Sequence, residues 1–133
     1  MSLKDTKFSS MIPSILCVGV GSFFGGICRF LCSRFLNAYA PGFFPLGTFV
    51  VNILGCFLIG LFYGLSDHVL SPNARLLLTV GFCGGFTTFS TFANEGLSFI
   101  KSGSILQFAL YAALSVFVGV IAVYVGNMVT RLF

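Results

Sequence analysis

Hydroxyl-bearing and aromatic side chains alternate in one short apolar stretch of this sequence. In chain order they are Phe86, Thr87, Thr88, Phe89, Ser90, Thr91 and Phe92. A hydroxyl donates hydrogen bonds, and the edge of an aromatic ring carries partial positive charge, so each can contact an anion without a formal charge. Donors of this kind, close together in an apolar segment, indicate a site for a small ion.

Glycines come just before these residues and indicate a helix that is interrupted. Gly81, Gly84 and Gly85 each weaken an α-helix by about 1 kcal/mol relative to alanine. In a bilayer a freed carbonyl has no water to bond, so an interruption is tolerated only where it faces protein, water or an ion. We therefore interpret the stretch as a broken transmembrane helix that builds an ion site.

The composition is that of an integral membrane protein, since 57% of the 133 residues are hydrophobic and only 8% are charged. Four apolar segments, at about 12–35, 43–65, 76–100 and 105–129, each reach the roughly 20 residues that cross a bilayer. They predict one all-α membrane domain over 1–133 with four spans, the third broken near 84–87. The net charge of +4 suits the flanks of membrane spans better than a nucleic-acid surface.

The basic residues fall on both sides of the predicted membrane. Toward one side lie Lys4, Lys7, Arg75 and Arg131, and toward the other Arg34 and Lys101. So small an excess is a weak positive-inside signal. Two hypotheses remain open: both termini lie in the cytoplasm, or the chain inserts both ways round and opposed copies form an antiparallel dimer. Four helices enclose little more than their own side chains, so we expect a pore to need a second copy.

Span one ends in a face of small residues followed by an arginine. Gly21 and Gly25 form a Gly-x-x-x-Gly pair, which predicts close contact with another helix. Arg29 has two interpretations. Its guanidinium extends to the lipid headgroups, or it holds a positive charge in a water-filled vestibule, where it would attract anions.

Spans two and four each carry a polar stripe at helical spacing. In span two, Thr48, Asn52 and Gly55 share one face. In span four, Tyr111, Ser115 and Gly119 follow at steps of four. We expect both stripes to point inward, the asparagine acting either as a contact between helices or as a ligand group.

Glu95 is the one carboxylate that the pattern places within a span. An ionisable group at membrane depth is a candidate functional residue, although a position this near the helix end also suits a wet vestibule. The other inward-facing polar groups are nearly all hydrogen-bond donors, which favours an anion. A cation or proton pathway would instead need buried carboxylates in the remaining spans.

Enzyme and transition-metal chemistry lack the residues that they need. His68 is the single histidine and sits beside Asp67 in a predicted loop, and the five cysteines form no Cys-x-x-Cys pair. We therefore expect no enzyme. A small drug-exporting transporter would need a carboxylate in span one, where this chain has Arg29. A non-conducting assembly subunit would gain nothing from a broken helix.

Three motifs together resemble those of the Fluc (CrcB) family of fluoride channels. They are Gly25 to Phe30 with Arg29, Gly47-Thr48 through Val51-Asn52, and Gly81 to Phe92 with Glu95. The resemblance runs from about Val20 to Asn127 and is most specific in the Gly-Gly-x-Thr-Thr-Phe-Ser-Thr-Phe core.

The resemblance implies a fluoride-selective channel that exports fluoride passively from the cytoplasm and so gives fluoride resistance. It implies an antiparallel homodimer in the plasma membrane, the inner membrane of a bacterium, with two narrow pores. It also implies one structural Na⁺ at the dimer centre, not transported and bound by main-chain carbonyls of Gly84 and Thr87. A heterodimer with a sister subunit remains open.

By the same resemblance, fluoride would pass the ring edges of Phe89 and Phe92 and accept a hydrogen bond from Asn52, with Thr48 one turn away. The polar track would comprise Ser90, Thr91, Tyr111 and Ser115, with Arg29 in the vestibule and Glu95 in a role that the motif does not explain. Gly119 departs from the pattern, because another hydroxyl is frequent there. Composition and spacing alone do not separate fluoride from another small anion.

Overall fold

The structure, a computed structural model, describes residues 3–40, 42–66 and 69–133. Asp67 and His68, which we predict to lie in a loop, fall outside the described residues. Within the described part, four helical stretches are long and apolar enough to cross a bilayer: Lys7–Tyr39, Leu46–Leu65, Pro72–Lys101 and Ile105–Leu132. The all-α architecture with four spans is confirmed.

The helices match the predicted spans to different degrees. They are α1 (Leu3–Tyr39), α2 (Leu46–Ser66), α3 (Pro72–Leu76), a π-helical segment (Leu77–Cys83), α4 (Gly84–Phe86), α5 (Phe89–Lys101) and α6 (Ile105–Val129). Helix α6 coincides with the predicted fourth span. Helix α1 extends beyond the predicted segment at both ends. Its 37 residues reach about 55 Å, which is more than the thickness of the apolar core of a bilayer.

Helix α1 packs closely against the first half of the third span, residues 72–86. A methyl group added at Gly21 would overlap the carbonyl oxygen of Leu77, and one added at Gly25 would overlap that of Phe82. These two glycines therefore let two backbones touch, which confirms the contact that the Gly-x-x-x-Gly pair predicts.

The third span is broken at Thr87 and Thr88, at the end of the predicted interval 84–87 and not at its glycines. Thr87 (φ −85°, ψ 160°) and Thr88 (φ −148°, ψ 112°) are extended, and α5 begins at the next residue. The expectation that the glycines interrupt the helix is wrong, because Gly84 (φ −62°, ψ −39°) is helical and Gly85 belongs to α4. Gly85 serves contact instead: a Cβ there would lie 2.6 Å from the Ser22 carbonyl oxygen.

Helix α2 lies at the centre of the subunit and contacts each of the other spans. It approaches α6 closely, since a methyl group at Gly60 would overlap the Val123 carbonyl and one at Gly126 would overlap the Phe57 carbonyl. This position brings the polar face of α2 against the break and against α5.

Candidate functional site

The two residues of the break are held by hydrogen bonds from their own side chains. The amide and the hydroxyl of Thr87 both donate to the Cys83 carbonyl, at 3.0 and 2.9 Å. Thr88 is the N-cap of α5, and its hydroxyl accepts a hydrogen bond from the Thr91 amide at 3.2 Å. A threonine hydroxyl therefore makes a main-chain hydrogen bond at the end of α4, and another does so at the start of α5.

Asn52 fastens the break to α2 through both ends of its side-chain amide. Its Oδ1 accepts from the Thr88 amide at 2.7 Å, and its Nδ2 donates to the Thr88 carbonyl at 3.1 Å. Both main-chain groups of Thr88 lie outside the helices, where in lipid they would otherwise have no partner. Asn52 thus replaces the hydrogen bonds that the break removes.

Gly55 and Thr48 extend this contact along the same face of α2. A Cβ on Gly55 would overlap the side chain of Thr87, so glycine is needed for the break to approach α2. One turn before Asn52, the buried Thr48 hydroxyl donates to Glu95 Oε1 at 2.6 Å. The predicted polar face of span two therefore points inward onto the second half of the third span.

Glu95 joins three helices through its carboxylate. Thr48 of α2 donates to Oε1, and Tyr111 of α6 donates to Oε2 at 2.9 Å. Glu95 also lines a cavity of about 330 Å³, together with Phe43, Ser98, Phe99 and Ser102. Thr48 and Tyr111 are therefore not free donors in this state, because both serve Glu95.

An aromatic group surrounds Tyr111 and includes one of the two candidate pore phenylalanines. The ring centroid of Phe92 lies 5.0 Å from that of Tyr111, which is only 1% exposed. Phe89 is 5.7 Å from Phe92 but 80% exposed, so its ring has open space around it. Phe92 is half-buried against Tyr111, whereas Phe89 lies at the surface of the subunit.

An open cavity of about 490 Å³ lies against the break. Its lining comprises Asn52, Gly55, Cys56, Ile59, Thr79, Val80, Cys83, Gly84, Thr87, Thr88 and Phe89. It brings together the candidate sodium residues and two candidate pathway residues, Asn52 and Phe89. In the described part of the chain, and apart from the backbone of the same helix and the two neighbouring residues, no atom lies within 4 Å of the point where a Cβ on Gly84 would stand.

Two main-chain carbonyls leave the helical ladder beside this cavity. The Thr88 amide would bond the Gly84 carbonyl in a continuous helix, but it donates to Asn52 instead. The Thr91 amide would likewise bond the Thr87 carbonyl, but it donates to the Thr88 hydroxyl. Gly84 and Thr87 therefore each present a carbonyl oxygen that the helices do not use.

Arg29 contacts the end of the first half of the third span. Its Nε donates to the Gly85 carbonyl at 3.0 Å, and the side chain is half-buried. The guanidinium therefore contacts the protein at Gly85, two residues before the break, and does not extend away from the subunit. It satisfies a carbonyl near a helix end and brings a positive charge close to the site.

The predicted polar track divides into separate groups in this structure. Ser90 and Thr91 are exposed and lie around the Thr88 hydroxyl, at 3.4 and 2.9 Å between oxygens. Tyr111 belongs to the Glu95 group. Ser115 lies alone: its hydroxyl oxygen is buried and, among the described residues, has no hydrogen-bond partner.

Thr88 and the Gly85 carbonyl are parts of the site that sequence reasoning missed. Thr88 appears in the motif as one hydroxyl among several, yet it alone is both N-cap of α5 and partner of Asn52. A threonine directly before an amphipathic helical run is the available signal for such a cap.

Comparison with known proteins gives a consistent result. Residues 16–127 match the family model described as CrcB-like protein, Camphor Resistance (CrcB). The chain is also similar to proteins named "Fluoride-specific ion channel FluC". The protein from Flavobacterium psychrophilum is 40% identical over 122 residues, which cover 90% of this chain and 98% of that protein.

Two further relatives carry the same name. The protein from Chlorobium luteolum is 46% identical over 120 residues, covering 89% of this chain and 92% of that protein. The protein from Phocaeicola vulgatus is 45% identical over 116 residues, covering 86% of this chain and 96% of that protein.

Proposed function

This chain belongs to the CrcB family, and we propose that it is a fluoride-selective ion channel through which fluoride leaves the cytoplasm passively. It is a multi-pass membrane protein and not an enzyme; in a bacterium such a protein lies in the inner membrane. The observation that carries the proposal is the similarity to proteins named fluoride-specific channels over most of the chain.

The chemistry of the site independently favours an anion. At the break, the Asn52 amide and the Thr88 hydroxyl donate hydrogen bonds, and on α6 the buried Ser115 hydroxyl is a donor without a partner among the described residues. A buried donor without a partner costs about 1–3 kcal/mol, and an anion that accepts from it removes that cost. Fluoride is small and tightly hydrated, so a selective pore must replace its water with close, strong donors.

The route that we propose follows Phe89, Phe92 and Asn52 and continues along the hydroxyls of α5 and α6. The latter are those of Ser90, Thr91, Tyr111 and Ser115, with Thr48 close by. The hydroxyls of Thr48 and Tyr111 donate to Glu95 in this structure. They can therefore donate to the anion only where it takes the place of that carboxylate as the acceptor. Arg29 supplies the nearby positive charge.

The working unit is an antiparallel dimer, formed by two copies of this chain or by this chain and a sister subunit. Support comes from the open cavity beside the break, since one subunit leaves Phe89 80% exposed at its edge. The weak charge asymmetry of the chain permits both orientations in the membrane. A partner would cover this cavity and complete the narrow path.

A structural Na⁺ fits the two carbonyls at the break. The oxygens of Gly84 and Thr87 are hard ligands outside the helical ladder, and two opposed copies would supply four around one cation. Bound there, the ion would hold the two breaks together. Asn52 and the Thr88 hydroxyl accept the amides that would otherwise donate to these two carbonyls. The carbonyls of Gly84 and Thr87 are thereby left for the cation.

Fluoride efflux from liposomes that hold the purified protein tests this proposal, with the Phe92→Ile variant as the informative change. Isoleucine keeps an apolar side chain but removes the ring edge, so we expect fluoride release to fall at least about tenfold while the dimer persists on size exclusion. Phe117→Ile is the matched control, because Phe117 is exposed on α6. Equal loss in both variants, or no flux in the wild type, contradicts the proposal.

A further inference from the structure

A second cavity adjoins the one at the break, on the side where the third span begins. It holds about 320 Å³ and is lined by Tyr63, Leu70, Pro72, Arg75, Leu76, Thr79 and Val80. Thr79 and Val80 line both cavities, so the two share a wall. We call this second space the outer cavity.

Arg75 brings a positive charge to the outer cavity. Its guanidinium carbon lies 4.9 Å from the ring centroid of Tyr63, a cation–π contact that ties the side chain to the cavity wall. Glu95 is the one acidic side chain that the structure describes, and it is bonded to Thr48 and Tyr111. Within the described residues, therefore, no carboxylate neutralises Arg75.

An arginine near either end of a span also occurs as a simple membrane anchor. Arg34 is an example of such an anchor in this chain. Arg34 lies near the end of α1, is exposed, and has its guanidinium carbon 5.9 Å from the Phe30 ring. Arg75 is exposed as well, so the two arginines share residue type, exposure and an aromatic contact. They differ in that Arg75 lines a cavity whose wall continues into the cavity at the break.

We propose that the outer cavity is an anion-binding antechamber, in which Arg75, positioned by Tyr63, collects small inorganic anions for the cavity lined by Asn52 and Phe89. The inference rests on the proposed function. A guanidinium above an aromatic ring attracts any small anion, so this site raises the local anion concentration and does not select fluoride. Selection belongs to the narrower part of the path.

The effect of such a charge depends on ionic strength. A unit charge several ångströms from an anion in a partly wet mouth changes the local anion concentration about threefold or more, and fields of this kind raise entry rates. The screening length is about 30 Å at 0.01 M salt and about 3 Å at 1 M. The contribution of Arg75 is therefore present in dilute salt and absent in concentrated salt.

The experiment compares initial fluoride efflux at about 0.01 M and about 1 M ionic strength, set with an impermeant salt on both sides of the liposome. The variants are Arg75→Gln, Arg75→Lys and Arg34→Gln. We expect Arg75→Gln to release fluoride about threefold more slowly than wild type in dilute salt and equally fast in concentrated salt. Arg75→Lys keeps the charge and stays near wild type, and Arg34→Gln is unchanged in both salts.

Three results overturn the antechamber. Arg75→Gln matches wild type in dilute salt; or it is slowed equally in both salts, which a structural defect would give; or Arg34→Gln shows the same salt-dependent loss. Wild-type protein that releases no fluoride at all instead refutes the proposed function, so the two failures are distinguishable.

Discussion

Replacing Asn52 with alanine tests whether this residue holds the break in place. The substitution removes two hydrogen bonds to the main chain of Thr88, of 2.7 and 3.1 Å. A buried main-chain group that is left without a partner costs about 1–3 kcal/mol; the two groups of Thr88 are half-buried, so their loss together costs up to about 6 kcal/mol. That is a large part of the stability of a small protein. We expect both the folded dimer and the fluoride path to be lost.

The assay pairs two readouts on the same protein. The temperature at which the dimer peak disappears on size exclusion should fall markedly for Asn52→Ala, and fluoride efflux should fall to the level of empty liposomes. Asn37→Ala is the matched control. The Asn37 side chain accepts a single hydrogen bond, from the Gly47 amide at 3.2 Å, so its removal costs about 1 kcal/mol and leaves efflux intact.

The outcomes separate two roles for Asn52. Asn52→Ala that keeps wild-type thermal stability but conducts no fluoride would show that the amide serves the anion and not the break. Wild-type stability together with wild-type efflux would refute both the clamp and the proposed route. Equal effects in the Asn37 and Asn52 variants would show that the two hydrogen bonds from Asn52 to Thr88 stabilise the protein no more than the single bond from Asn37 to Gly47.

Three further predictions follow. Tyr111→Phe removes the hydroxyl that donates to Glu95 but keeps the ring packing, so we expect about 1–2 kcal/mol less stability, measured by thermal unfolding in detergent, and slower efflux. Gly55→Ala would force a methyl group into the Thr87 side chain, and we expect loss of the dimer peak; Gly19→Ala, with open space at that position on α1, should keep it. Replacing sodium with a large organic cation should lower efflux if a structural Na⁺ is present, whereas unchanged efflux after exhaustive exchange would count against that ion.

Hydropathy located the spans because membrane insertion depends on long apolar runs, which are local in sequence. The fourth span, 105–129, has the bounds of α6. The position of the break could not be read in the same way. Glycine lowers helix propensity by only about 1 kcal/mol, and close packing of α1 against Gly85 outweighs that cost.

Hydrogen bonds between helices were the other feature that sequence did not reveal. Helical spacing places Thr48 and Asn52 on one face, which the structure shows pointing inward. Spacing within α2 says nothing about partners on other spans. Asn52 binds a residue 36 positions away, and Thr48 one 47 positions away. The donor role of these side chains was therefore visible, but the groups that receive the hydrogen bonds were not.

The most direct test of fluoride selectivity measures fluoride and chloride efflux side by side from liposomes that contain the wild-type protein. A potassium ionophore carries the counter-charge, and ion-selective electrodes follow both anions. A fluoride-selective channel releases fluoride rapidly and retains chloride. Equal release of both anions, or retention of fluoride by a well-folded dimer even when a sister chain is co-expressed, would contradict it.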